Sequence, residues 1–258
     1  MPLTRENDMK RCKVLAVALV AALSTGTATG AEIIVSAAAS LTNAFTEIGR
    51  EYEKVNPGQK VNFNFASSGA LLQQIARGAP VDVFASADQE TMDRAAKQNL
   101  IVRTSRHDIV RNTLVVVAPK GAKSVPKSLE DLKDAGIARL AISNPESVPV
   151  GRYTKDALEA AGLWDAVKAK SLNTQNVRQS LDYVARGEAD AGFVYVTDAA
   201  IMPDKVETLF EVPTKTAILY PIAAVKGNGN ENFALKFIEY VRSDAGQRIL
   251  ARYGFRKP

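Results

Sequence analysis

Two serines stand where strand-like segments hand over to helix-like ones. Ser40 lies in Val35-Ser36-Ala37-Ala38-Ala39-Ser40-Leu41-Thr42, and Ser68 in Phe65-Ala66-Ser67-Ser68-Gly69-Ala70-Leu71. The first N–H groups of a helix have no intrahelical partner, and the helix dipole is positive at that end. A serine adds a hydroxyl, so each turn has the makings of an anion site. The surrounding alanines and Gly69 let a ligand come close to the backbone. Two later segments have the same character: Pro149-Val150-Gly151, ahead of a helix expected from Tyr153, and Asn176-Val177-Arg178, at the start of another. A serine before a helix commonly serves only as its cap, and Ser40 occupies such a position. Arg178 could partner an anion but reads more readily as a solvated helix residue.

Other chemistries find less support. Ser67-Ser68-Gly69 has no Gly-x-Ser-x-Gly elbow around it. The only histidine, His107, lies in a polar stretch and reads as a surface residue. A Ser-Lys pair is compatible with the composition, but nothing places a lysine near Ser68. Asp82, Asp88, Asp190 and Asp198 look like loop or cap residues rather than a cation cluster, and there are no histidine pairs for a metal. No enzyme activity is expected.

The elements that must position these residues alternate. Residues 33–36 form a β-branched run, and 41–54 carry Leu41, Ala44, Phe45 and Ile48 at helical spacing, ended by Asn56-Pro57-Gly58. Val61, Phe63 and Phe65 alternate as in a strand. A helix over 71–77, a strand over 81–85 and a helix over 89–98 follow. The order predicts a mostly parallel sheet with helices on both faces. It then recurs: strands at 114–118, 140–143 and 191–196, helices at 129–134, 153–161 and 177–186. A strand over 218–225 and one closing helix over 232–252 complete the chain. The fold class is α/β with two units. We expect lobe one to comprise residues 32–113 and 223–258, and lobe two 114–222, with a ligand cleft between them.

The first 31 residues read as a secretory signal peptide. Lys10, Arg11 and Lys13 precede an apolar run from Val14 to Leu23, then a small and polar stretch ending near Gly30 or Ala31, after either of which cleavage is expected. The run is too short to span a bilayer, which takes roughly 20 residues. Met9, directly before Lys10, is an alternative start. Cys12 is the only cysteine and precedes the apolar run, the wrong side for a lipoprotein anchor. The exported part therefore has no disulfide and no thiolate metal site. Apolar residues make up 46% of the 258-residue chain and charged residues 24%, an ordinary globular profile. The net charge is +5; the first 31 residues carry four basic and two acidic groups, which leaves +3 for the rest. No dense basic block is interleaved with aromatics, so nucleic acid is not an expected partner.

In order along the chain, several motifs resemble those of the periplasmic molybdate-binding proteins of ABC transporters. They are Ala37-Ala38-Ala39-Ser40-Leu41-Thr42-Asn43-Ala44, Phe65-Ala66-Ser67-Ser68-Gly69, Gly78-Ala79-Pro80-Val81-Asp82-Val83-Phe84-Ala85-Ser86-Ala87-Asp88, Leu114-Val115-Val116-Val117-Ala118-Pro119, Asn144-Pro145-Glu146-Ser147-Val148-Pro149-Val150-Gly151, Asn176-Val177-Arg178, Val194-Tyr195 and Arg252-Tyr253-Gly254-Phe255. The resemblance implies a two-lobed type II periplasmic-binding-protein fold and a ligand, molybdate or tungstate, with no cofactor. It implies that Ser40 and Ser68 each give a hydroxyl and a backbone N–H, Val150 and Val177 a backbone N–H, and Tyr195 its phenolic O–H. The metal would be held through its oxygens, without direct ligation. Val150 departs from relatives with alanine there, which matters little for a backbone donor. The resemblance also implies a periplasmic location and a membrane permease with its ATPase as partner; a monomer is the default expectation. Molybdate near neutral pH is a dianion whose oxygens only accept hydrogen bonds, and all five residues offer donors.

Overall fold

The protein is described by a computed structural model covering residues 31–134 and 136–258. The signal-peptide reading and Cys12 lie outside the described residues, Ala31 apart. Among the described residues no helix is long and apolar enough to cross a membrane.

The first lobe starts with β1 (Ala31–Ala38), a 3-10 turn (Ala39–Leu41) and α1 (Thr42–Val55), then β2 (Gln59–Ala66), α2 (Ser68–Ala76), β3 (Val83–Ala85), α3 (Gln89–Lys97) and β4 (His107–Asn112). The chain crosses at Thr113 into β5 (Leu114–Pro119), a 3-10 turn (Glu130–Lys133), β6 (Leu140–Ser143), α4 (Pro149–Ala160), α5 (Trp164–Lys168), β7 (Ser171–Thr174), α6 (Val177–Ala185), β8 (Ala191–Tyr195), α7 (Val196–Ala199) and β9 (Val206–Glu211). It returns through β10 (Ile218–Ala224) and finishes with α8 (Glu231–Arg242) and α9 (Asp244–Arg252).

The two sheets repeat one plan, β2-β1-β3-β10-β4 and β7-β6-β8-β5-β9. In each, three strands run parallel, as β-α-β units require. The other two pair antiparallel: β10 with β3 and β4, and β5 with β8 and β9. The sheets are therefore mixed where mostly parallel ones were expected. The cause is the double crossing, which inserts into each sheet a strand arriving from the other lobe.

Burial explains the composition of these elements. Leu114 to Ala118 is fully buried and shows no alternation, because both faces of β5 are covered. In α1 the buried stripe is Ala44, Phe45, Ile48, Gly49 and Tyr52. Phe45 meets Phe63 and Phe237 edge-on at 6.2 and 6.3 Å between centroids. Burying each such ring contributes about 1.5–3 kcal/mol. Gly49 is needed there, since a Cβ would lie 2.6 Å from the Phe63 ring.

Several elements differ from expectation. The single closing helix is two, because Ser243 takes an extended conformation (ψ 164°) and its hydroxyl accepts from Gly246 N–H to cap α9. Helix α4 starts at Pro149, so Val150 and Gly151 lie in its first turn and not ahead of it. The strands β4, β7 and β9 were not expected; each is a sheet edge, and half-solvated edges carry polar residues that blur the period of two. His107 is accordingly on β4, half-buried beside Ile222, with its imidazole held below its usual range by burial and by Arg242.

Candidate anion site between the lobes

The ends of β1, β2 and β8 and the starts of α2, α4 and α6 converge on one small cavity of about 10 Å3. Its lining includes Ser40, Ser68, Val150, Val177 and Tyr195, so all five residues named from the sequence come together. That volume is about one water-sized group.

Each donor is held by local structure. Ser40 is not a helix cap: it lies inside the 3-10 turn, and its Oγ is 2.9 Å from Tyr220 Oη. Ser68 is the first residue of α2, and its Oγ accepts from Ala87 N–H at 3.0 Å. That backbone donor, where a nucleophilic serine would need a base, fits a binding hydroxyl. In α4 the first residue is Pro149, which has no N–H, so Val150 supplies the first one. Gly151 lets this turn lie against β6: a Cβ there would be 2.2 Å from Ser143 O. In α6 the Asn176 side chain accepts from the N–H groups of Arg178 and Gln179, leaving that of Val177 to the cleft. A buried hydroxyl triangle of Ser143, Thr174 and Ser180, with edges of 2.6–3.0 Å, ties α6 to the ends of β6 and β7.

Tyr195 is 1% exposed and its Oη has no hydrogen-bond partner. Burial pushes the phenol well above its ordinary value, so it stays protonated and able to donate. An orphaned buried hydroxyl costs about 1–3 kcal/mol, and this one belongs to a residue that lines the cavity.

Two arginines beside the donor helices join the lobes. Arg152, of α4, reaches Asp88 Oδ2 from Nε at 2.9 Å and from Nη2 at 2.5 Å, and donates to Thr91 Oγ1 at 2.7 Å. Arg178, of α6, donates to Asn43 Oδ1 at 2.8 Å and Ser40 O at 3.2 Å. It also pairs with buried Asp198, Nε to Oδ1 2.6 Å, a charge contact whose N–H is poorly aligned. Arg178 is thus no free, solvated helix residue: its guanidinium is engaged across the cleft by Asn43 and Ser40 and within its own lobe by Asp198. Asp88 and Asp198, expected as loop or cap residues, are buried ion partners; Asp88 also caps α3. Residue type alone did not separate these two from Asp82 and Asp190, which accept from backbone N–H groups. Among the described residues no acidic, histidine or cysteine cluster could hold a bare cation.

Burial raises the Asp198 carboxyl from its ordinary 3.8 to about 6, against the opposing pull of Arg178. Between those values the folded protein holds a proton that the unfolded chain has already lost. Stability is therefore drained as pH rises from about 4 to about 6, by about 3 kcal/mol at most. In urea unfolding of wild type and Asp198→Asn across that window, the wild type is expected to lose stability relative to the variant as pH rises. A constant difference would show that Asp198 is charged throughout.

The model of the bacterial extracellular solute-binding proteins matches residues 33–256. The molybdate-binding protein ModA of Haemophilus influenzae is 36% identical over 252 residues, covering 95% of this chain and 98% of that one. Among solved structures, the periplasmic molybdate-binding protein of Azotobacter vinelandii aligns with a TM-score of 0.75 at 24% identity, over 88% of this chain and 99% of that one. The sulfate-binding protein SubI of Mycobacterium tuberculosis aligns with a TM-score of 0.79 at 16% identity, over 88% and 87%. These two likenesses establish the type II periplasmic-binding-protein fold alone, since the better superposition is with a protein named for a different anion. Sequence identity and the family model decide the rest: this chain belongs to the bacterial extracellular solute-binding proteins, a transport-binding and not an enzyme family, and within them to the family of the molybdate-binding proteins.

Proposed function

We propose that this protein captures molybdate, and tungstate of nearly equal size, between its lobes in the periplasm and delivers it to the permease of an ABC transporter. The observation that carries this reading is the unpartnered Tyr195 hydroxyl in a cavity whose lining also includes Ser40, Ser68 and the first turns of α4 and α6. Ser40 and Ser68 supply a hydroxyl and an N–H each, Val150 and Val177 an N–H, and Tyr195 its O–H. The metal stays shielded behind its oxygens. Neutral dipoles hold the dianion without burying a second ion that would need its own desolvation. Sulfate has the same shape and charge but is smaller, so cavity size sets that selectivity.

The lobes divide, on this reading, as 31–112 with 218–258 and 113–217. This places β10 whole in lobe one, where the expected boundary at 222/223 would cut it. The protein acts as a monomer, and closure presents the permease with a surface absent from the open form.

Calorimetric titration of the exported chain with molybdate, tungstate, sulfate and phosphate tests the reading. Tight binding of the first two and weak binding of the others is expected; no binding, or a preference for sulfate, overturns it. Tyr195→Phe removes one hydrogen bond to a charged ligand, about 1.5–3 kcal/mol. Molybdate affinity should fall by roughly ten- to a hundredfold, while the ligand-free melting temperature stays level or rises.

A further inference from the structure

A hydroxyl can donate or accept, so a cage of donors requires that its protons be aimed. The contacts behind Ser40 determine that aim. Thr113 N–H donates to Asn112 Oδ1 at 2.9 Å, which fixes the amide so that Nδ2 faces Thr197 Oγ1 at 2.9 Å and Tyr220 Oη at 3.2 Å. An amide nitrogen only donates, so Tyr220 Oη accepts from it. The Tyr220 proton then points to Ser40 Oγ at 2.9 Å, the ring being fully buried and without access to water. Ser40 Oγ, having accepted, keeps its own proton for the cleft. Ser68 Oγ is placed in the same state by Ala87 N–H.

We infer that Asn112 and Tyr220 are specificity-determining positioning residues: the Asn112–Tyr220 relay orients the Ser40 hydroxyl as a donor and so disfavours oxyanions that carry a proton of their own. Hydrogen phosphate and hydrogen arsenate need an acceptor in the cage; the relay occupies one of the two Ser40 lone pairs and leaves the hydroxyl proton, which cannot go to Tyr220, to face the cleft. Neither residue lines the cavity. Asn112 ends β4 and Tyr220 lies on β10, so the relay runs between the two strands at which the chain leaves and re-enters the first lobe. This inference rests on the oxyanion reading of the cleft.

The test is titration of wild type, Tyr220→Phe and Asn112→Ala with sodium molybdate and sodium phosphate, in mildly alkaline buffer where phosphate is the hydrogen phosphate dianion. Tyr220→Phe keeps the ring and its edge-on contact with Tyr195, 5.9 Å between centroids, but frees a lone pair on Ser40. The ratio of molybdate to phosphate affinity should fall about tenfold, the value of one hydrogen bond. Asn112→Ala lets Tyr220 accept from Ser40, turning that proton away from the ligand, and should shift the ratio in the same direction. If both variants weaken the two anions in equal proportion, or leave both unchanged, the relay does not set specificity. Wild-type protein that binds no molybdate overturns the cleft reading and the relay together; wild-type binding with an unchanged ratio in the variants overturns the relay alone.

Discussion

Gly69→Ala is expected to abolish tight molybdate capture while leaving both lobes folded. Gly69 N–H donates to Ser147 O at 3.0 Å, a backbone contact from α2 in one lobe to the loop before α4 in the other. A Cβ at residue 69 would lie 2.5 Å from that oxygen and 2.9 Å from Ser147 Cα. Both are backbone atoms, so no rotamer change relieves the overlap. The three nearest neighbours of the added methyl are all atoms of Ser147; with the lobes apart, nothing in that set obstructs it. The overlap would push back the segment leading to Val150 and withdraw that N–H from the cavity. Overpacking costs about 1–3 kcal/mol, and weakening a hydrogen bond to a charged ligand about 1.5–3 kcal/mol. Together they predict a loss of affinity on the order of a hundredfold or more. Titration calorimetry with molybdate and thermal melting without it separate the two effects. Wild-type affinity in the variant would mean that the lobes do not close with this contact.

Arg152→Ala should weaken capture to a similar degree by a different route. Asp88 is 4% exposed at its side chain and Arg152 13%. Removing the arginine leaves a buried carboxylate with one backbone N–H and the Ser86 hydroxyl for compensation. Stranding one partner of a buried pair costs about 3–5 kcal/mol. The penalty is expected to fall on the closed form alone, because Asp88 lies in the first lobe and Arg152 in the second. Ligand-free stability should therefore change little while molybdate affinity drops, and small-angle scattering at subsaturating molybdate should report a larger radius than wild type. Asp88→Asn added to Arg152→Ala should recover part of the loss, since no charge is then stranded. An equal fall in the melting temperature of the ligand-free protein would place the pair in folding instead of closure.

The two substitutions show where the sequence was legible. Gly69 and Ser68 belong to a strand-serine-helix turn that composition and spacing make visible. Arg152 and Asp88 do not: they are 64 positions apart, and neither residue type distinguishes a latch from an ordinary surface charge. Arg178 misled for the same reason. Its place in the first turn of α6 was readable, but its three partners come from the 3-10 turn, α1 and α7, brought close only by the fold.

By itself, the sequence determined what is local. Hydrophobic period marked α1 and α6, a continuous apolar run marked β5, punctuation by Gly58, Gly162 and Gly187 marked the ends of α1, α4 and α6, and small residues at strand-to-helix turns marked backbone that an anion could approach. Those signals are carried within a few residues, so they survive without coordinates. Tertiary structure decided what depends on pairing across the chain: the mixed sheets, the buried charges of Asp88 and Asp198, the arginine latches and the direction of the Ser40 proton. A hydroxyl has no fixed polarity until a neighbour imposes one, and the neighbour that imposes it on Ser40 is Tyr220, 180 residues away.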